Sequence, residues 1–252
     1  MGYLQNRVVA VIGGSSGMGR VTALALAREG AAVVVGARRQ QLCKQVASEI
    51  RAAGGQGEAI ALDATDADSV AEFFRVLHER HGRLDGAFNN VGRTLGSSSI
   101  TETTLERFEQ TLAFNLRSTF LCLQQEVRLM RDQGHGAIVN NSSIGGSRGF
   151  AGLQDYCAAK WGVVGLTKAV ALENAAHNLR INVIAPGLVA TERFELIRSQ
   201  QPTIIGDRLK EIPLARPGSM AEIAETVLWL LGPASGFLTG AVIPLDGGEC
   251  AK

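Results

Sequence analysis

Five apolar residues in unbroken succession, Val8–Ile12, run into the glycine-rich stretch Gly13-Gly14-Ser15-Ser16-Gly17-Met18-Gly19. An unbroken run of that length reads as a strand buried on both faces, and residues 20–29, with helical periodicity, read as the helix that follows it. The same alternation continues along the chain. Further strands are predicted at 31–36, 58–62, 84–89, 136–141, 180–185 and 241–245. Helices are predicted at 40–53, closed by Gly54-Gly55, and at 66–81, with Asp66 as N-cap. Others run from the Ser/Thr/Gly-rich loop 93–101 to about Asp132, over 153–177 and over 221–231. The stretch 192–214 has no clear period, and Pro202 and Pro213 interrupt it. Strands alternating with helices imply an α/β fold: one doubly wound domain over 1–252, with a parallel sheet of about seven strands and helices on both faces. No repeat, low-complexity tract or linker divides it.

Composition narrows the function class. The chain is 46% apolar and 19% charged, as expected of a globular protein. Lys and Arg number 25 against 24 Asp and Glu, so the net charge of +1 offers no basic field for nucleic acid or an anionic membrane. The four cysteines, Cys43, Cys122, Cys157 and Cys250, lack metal-ligand spacing, and no metal site is expected. Without a signal-like start or an apolar run near the ~20 residues a bilayer requires, a cytoplasmic location is the expectation.

Chemistry concentrates at predicted strand ends, where open parallel sheets bind their ligands. In the first turn, Gly13 allows a sharp bend, Gly17 a close approach of backbone to a ligand, and Gly19 tight packing of helix on strand. The N-terminus of the following helix suits a pyrophosphate. Tyr156 and Lys160 stand at i and i+4 on one helix face, where a nearby ammonium is expected to lower a tyrosine pKa from its usual value of about 10. Thirteen residues upstream of Tyr156, Ser143 follows a strand end, placed to hydrogen-bond a substrate carbonyl.

Taken together these motifs resemble the short-chain dehydrogenase/reductase family, of the common type about 250 residues long, over residues 7–248. The turn bearing Gly13, Ser15, Ser16, Gly17, Met18 and Gly19 is similar to that family's cofactor fingerprint. Asn89-Asn90-Val91-Gly92 resembles its Asn-Asn-Ala-Gly, and Asp63, with Ala64 beside it, falls where the family contacts adenine. The resemblance implies a catalytic set of Asn115, Ser143, Tyr156 and Lys160. Asn115 would bend its helix and hold a proton-relay water, and Lys160 would also hold the nicotinamide ribose. The segment Asn182 to Gly187, with Pro186, Val189 and Thr191, would hold the nicotinamide carboxamide. Two departures stand out: Ile12 replaces the usual Thr before the first glycine, and Val91 replaces the usual Ala.

The resemblance implies an oxidoreductase interconverting a ketone or aldehyde and an alcohol, with Tyr156 as general acid and base. Cofactor choice rests on the end of the second strand. Ala37 stands where NAD enzymes place an acid, and Arg38 and Arg39 follow, which suits the 2′-phosphate of NADP(H), with NAD(H) as the alternative. Residues 188–215 would form a substrate lid, and a homotetramer is expected from the family and from the excess of apolar positions at Trp161, Val163, Val164, Leu166, Val170 and Leu172. A 3-oxoacyl-thioester reductase, with Arg128 and Arg131 docking an acidic carrier protein, is the runner-up; a non-catalytic dinucleotide-binding regulator is the alternative of a different class.

Overall fold

The structure, a computed structural model, describes residues 2–251. Its frame is one seven-stranded, all-parallel sheet in the order β3-β2-β1-β4-β5-β6-β7. The strands are β1 (Val8–Ile12), β2 (Ala32–Ala37), β3 (Gln56–Ala61), β4 (Gly86–Asn89), β5 (Gly136–Asn141), β6 (Leu179–Pro186) and β7 (Val242–Leu245). Strand order reverses between β1 and β4, which opens a crevice beyond their carboxyl ends.

Both sheet faces are covered, which explains the unbroken apolar runs. Val9, Val11, Val33 and Val35 face one way, against α1 (Gly17–Arg28), α2 (Gln40–Ala52) and α9 (Met220–Leu231). Val8, Ala10, Ile12 and Val34 face the other, against α3 (Ala67–His81), α5 (Ser118–Gln133) and α6 (Gln154–Asn174). Large side chains such as Phe73 and Phe88 are wholly enclosed, each stabilising the fold by roughly 2–3 kcal/mol. Ile12, where the resemblance leads one to expect Thr, places its side chain in this core.

Three elements differ from the sequence expectation. Helix α1 begins at Gly17, inside the glycine cluster, and Gly17 takes a left-handed φ of 55° that a side chain would resist. The predicted long helix is two, α4 (Leu105–Leu112) and α5, joined by a π-helical turn over Ala113–Arg117. Residues 188–215 contain α7 (Glu192–Gln200) and α8 (Pro202–Lys210), with Pro202 at the first position of α8, where a missing N–H costs nothing. Asp66 caps α3 as expected, accepting from the Ser69 amide at 2.8 Å.

Between the sheet and helices α5 and α6 lies a buried polar chain. Asn89 Nδ2 donates to Glu126 Oε2 and to Asn140 Oδ1, both at 2.9 Å, and Asn140 Nδ2 donates to Thr167 Oγ1 at 2.9 Å. Burial pushes the Glu126 carboxyl up to about 8, against a smaller opposing effect of the Asn89 bond. Cys122, one helical turn earlier, is pushed up by the same burial and stays neutral. The folded state therefore holds a proton that the unfolded chain releases near pH 4.5, and stability falls as pH rises from there to about 8, by about 1.4 kcal/mol per pH unit. Glu126→Gln is expected to flatten this part of a plot of Tm against pH; an unchanged slope would assign the dependence to another group.

Candidate functional site

A cleft of about 640 Å³ runs along the carboxyl ends of the strands, from Arg38 and Asp63 beyond β2 and β3 to Ser143 and Tyr156 beyond β5. The glycine turn forms its floor. Gly13 adopts φ 78°, and a Cβ there would stand 2.9 Å from the Asn90 carbonyl oxygen. Asn90 locks the crevice by donating from Nδ2 to the Gly13 carbonyl at 3.4 Å while its Oδ1 accepts from Asn141 Nδ2 at 2.8 Å. Ser16 is the N-cap of α1, yet its side chain makes no capping bond, and the first turn carries no acid. The positive end of α1 therefore faces the cleft uncompensated by its own first turn.

At the far end, Arg39 donates to Ser15 Oγ at 3.0 Å and Ser16 Oγ at 2.5 Å, pinning the turn. Arg38 lies over the Phe114 ring at 5.7 Å from its centroid, and Arg93 lies over the same ring at 4.1 Å. Asp63 accepts from the Thr65 hydroxyl at 2.7 Å and its amide at 3.0 Å. Against the cost of partial burial, these bonds and the Arg38 charge hold its carboxyl below the usual carboxylate range.

The π-helical turn explains Asn115. Its wholly buried side chain donates from Nδ2 to the Thr111 and Arg93 carbonyls, each at 2.9 Å, and accepts the Arg93 amide at 3.1 Å. The helix widens so that this side chain can hold the loop after β4. A Cβ on Gly92 would stand 2.5 Å from Asn115 Oδ1 and 3.0 Å from Lys160 Nζ, so glycine keeps the space these two atoms share open.

Helix α6 delivers Tyr156 and Lys160. Lys160 is 2% exposed and donates to the Asn141 carbonyl at 2.8 Å, with Nζ 5.7 Å from the Tyr156 ring centroid. Burial lowers the Lys160 ammonium to about 7. Burial raises the Tyr156 phenol, partly offset by the Ser143 hydrogen bond. This reverses the sequence expectation of a lysine-lowered tyrosine: desolvation outweighs a lysine that bonds the sheet and not the phenol. Ser143 Oγ accepts the Gly145 amide at 3.1 Å, and Ser143 and Tyr156 line the same end of the cleft.

Most of the expected cofactor residues line the cleft: Gly13, Ser15, Ser16, Gly17, Met18, Ala37, Arg38, Arg39, Asp63, Ala64, Asn90, Val91, Gly92, Pro186, Gly187, Val189 and Thr191. Gly19 is the exception. It sits behind the wall, where a Cβ would come 2.3 Å from the Gly13 carbonyl oxygen, so it serves helix packing. Thr191 also caps α7, accepting the Phe194 amide at 3.3 Å. Sequence reading missed Asp155, 1% exposed, which accepts from Arg107 at 3.0 Å and Thr111 Oγ1 at 2.9 Å and so ties the Tyr156 end of α6 to α4. It also missed Phe114, although that residue directly precedes Asn115. Neither carries a local signal, because both act through partners distant in sequence. Among the described residues no group of His, Cys, Asp and Glu is arranged to hold a metal, and no helix is long and apolar enough to cross a membrane.

Known proteins resemble this chain in sequence and fold. The family model described as enoyl-(acyl carrier protein) reductase matches residues 12–249. Levodione reductase of Leifsonia aquatica is 37% identical over 254 residues, covering 98% of this chain and 95% of that protein. The 3-oxoacyl-[acyl-carrier-protein] reductase of a Synechocystis species is 36% identical over 250 residues, covering 98% of each. A crystal structure of levodione reductase matches with a TM-score of 0.94 at 34% identity, over 98% of this chain and 99% of that one. The chain belongs to the short-chain dehydrogenase/reductase family, whose members are oxidoreductases acting on carbonyl and hydroxyl groups with nicotinamide dinucleotides.

Proposed function

We propose that this enzyme is an NADPH-preferring reductase of ketones or aldehydes, working in reverse as an alcohol dehydrogenase. The observation that carries the reading is the convergence of Ser143, Tyr156 and Lys160 on one end of a cleft whose floor is the glycine turn. That cleft fits a dinucleotide: the uncapped α1 terminus and Gly17 suit the diphosphate, and Arg38 and Arg39 beside Ala37 suit a 2′-phosphate.

The dihydronicotinamide, when bound, supplies hydride to a carbonyl carbon. Ser143 donates a hydrogen bond to the carbonyl oxygen and steadies the charge that develops there. Tyr156 gives that oxygen its proton, its phenol being protonated at neutral pH, the form that reduction needs. Lys160 holds the nicotinamide ribose, and with its pKa near 7 it exchanges protons readily at neutral pH. Asn115 and Gly92 keep open the route by which that proton is replaced. Residues 188–215 serve as the substrate lid over a single 1–252 domain.

The carrier-protein reading fares less well, although the Synechocystis relative bears that name. Arg131 donates to Asn174 at 2.6 Å and pairs with Glu173 at 3.0 Å, which leaves little of it for an acidic partner. Tetramer assembly finds support in Trp161 and Leu172, 52% and 81% exposed on α6, whereas Val163 and Val164 are packed inside the subunit. The direct test is NADPH oxidation by the purified protein over a panel of cyclic and acyclic ketones, followed by absorbance. Turnover of at least one ketone is expected; no turnover of any, with either NADPH or NADH, would overturn the proposal.

A further inference from the structure

Behind the residues that line the substrate end of the cleft, four segments meet at one carboxylate outside the catalytic set: the loop after Ser143, Gly187 just before the lid, α8, and the turn after β7. Glu249 follows a turn in which Asp246 accepts from the Gly248 amide at 2.9 Å and the Cys250 amide at 2.8 Å. Its side chain is fully buried, and Oε1 accepts from Arg208 of α8 at 2.8 Å and from Arg148 at 3.3 Å. Arg148 stands five residues beyond Ser143, on the same loop. Both guanidiniums lie over the Phe150 ring, at 4.7 Å for Arg148 and 5.1 Å for Arg208, and Glu211 pairs with both, at 3.7 Å and 2.5 Å.

The same turn also adjoins both ends of the lid. Glu249 Oε2 lies 3.5 Å from where a Cβ on Gly187 would stand, immediately before the lid begins. At the lid's exit the Leu214 amide donates to the Gly247 carbonyl at 3.2 Å. Oε2 has no hydrogen-bond partner among the described residues. A buried ion pair adds little net stability, so the placement of this one between α8 and the loop after Ser143 points to a positioning role.

We propose that Glu249 is a positioning residue that latches the lid helix α8 to the Ser143 loop and thereby sets the shape of the carbonyl-binding end of the cleft. With the latch made, Arg208 and Arg148 are held together at Glu249 and against Phe150, and the lid cannot move without parting them. The glycine turn and the β2 and β4 ends, which would hold the adenine and diphosphate side of the cofactor, lie away from this junction, whereas the Pro186–Thr191 segment of the cleft adjoins it through Gly187.

The test is Glu249→Gln, with Arg208→Gln as a second variant that breaks the lid arm from the outside and leaves Glu249 paired with Arg148. Hydrogen exchange on the purified chain is expected to quicken about tenfold at 144–153 and 202–210, with the amides of β1 and β2 unchanged. For a ketone that the enzyme reduces, KM is expected to rise about tenfold with kcat little changed and a smaller rise in the NADPH Kd, the pattern of lost substrate positioning. Exchange that quickens evenly over the whole chain, or does not change, overturns the latch, as does a loss of kcat at constant KM. Only the kinetic arm rests on the proposed function, so the exchange result decides for or against the latch even where no substrate is found.

Discussion

Tyr156→Phe is expected to lower kcat by about 1000-fold, the middle of the range for removing a general acid, while the NADPH Kd stays within about twofold. The phenol ring lies against the Ser143–Gly145 turn, where a Cβ on Gly145 would be in ordinary contact at 3.4 Å, so phenylalanine keeps the packing and loses only the proton. Nothing else on that wall can replace it: Ser143 is too weak an acid, and Lys160 Nζ is turned to the Asn141 carbonyl. Stopped-flow reduction of a ketone substrate, with cofactor binding measured by fluorescence on the same preparation, separates chemistry from binding. A Tyr156→Phe enzyme with kcat near that of the parent would remove Tyr156 from the reaction.

Arg38→Asp is expected to weaken NADPH binding by about 100-fold, close to the ~2.7 kcal/mol that a lost charge-assisted bond plus a new repulsion supplies. NADH, which has no 2′-phosphate, should change by no more than about threefold, and an aspartate there can accept from its ribose 2′-OH. The structure divides labour between the two arginines. Arg39 is engaged with Ser15 and Ser16, whereas Arg38 rests on an aromatic face from which it can swing. Arg39→Ala should therefore loosen the turn and weaken both cofactors alike. Titration of each variant with each cofactor reads this out, and equal losses of NADPH and NADH in Arg38→Asp would strip Arg38 of its assigned role.

The sheet was legible because parallel strands buried on both faces must be apolar throughout, and Val8–Ile12 and Ala32–Ala37 satisfy that rule without help from neighbours. The glycine turn was legible for a related reason: backbone conformation and close approach demand glycine at Gly13 and Gly19 whatever the rest of the chain does. What escaped depends on tertiary partners. Periodicity predicts one helix before Asp132, and only the pull of buried Asn115 on the loop after β4 opens the π-helical turn. Residues 192–214 looked irregular because α7 and α8 are short and their order comes from ion pairs such as Arg208 with Glu249. Tyr156 and Lys160 were found by their spacing, their place after Ser143 and the family resemblance, but the direction of the Tyr156 shift was not, since burial is a property of the whole fold.

A fluorescence titration of the purified protein with NADPH, and in parallel with NADH, puts the central claim to its most direct test. The account predicts saturable binding of both, with NADPH tighter by about tenfold or more through the extra charge-assisted bonds at Arg38. Tighter binding of NADH would contradict the assignment at the end of β2, and binding of neither would contradict the reading of the cleft itself.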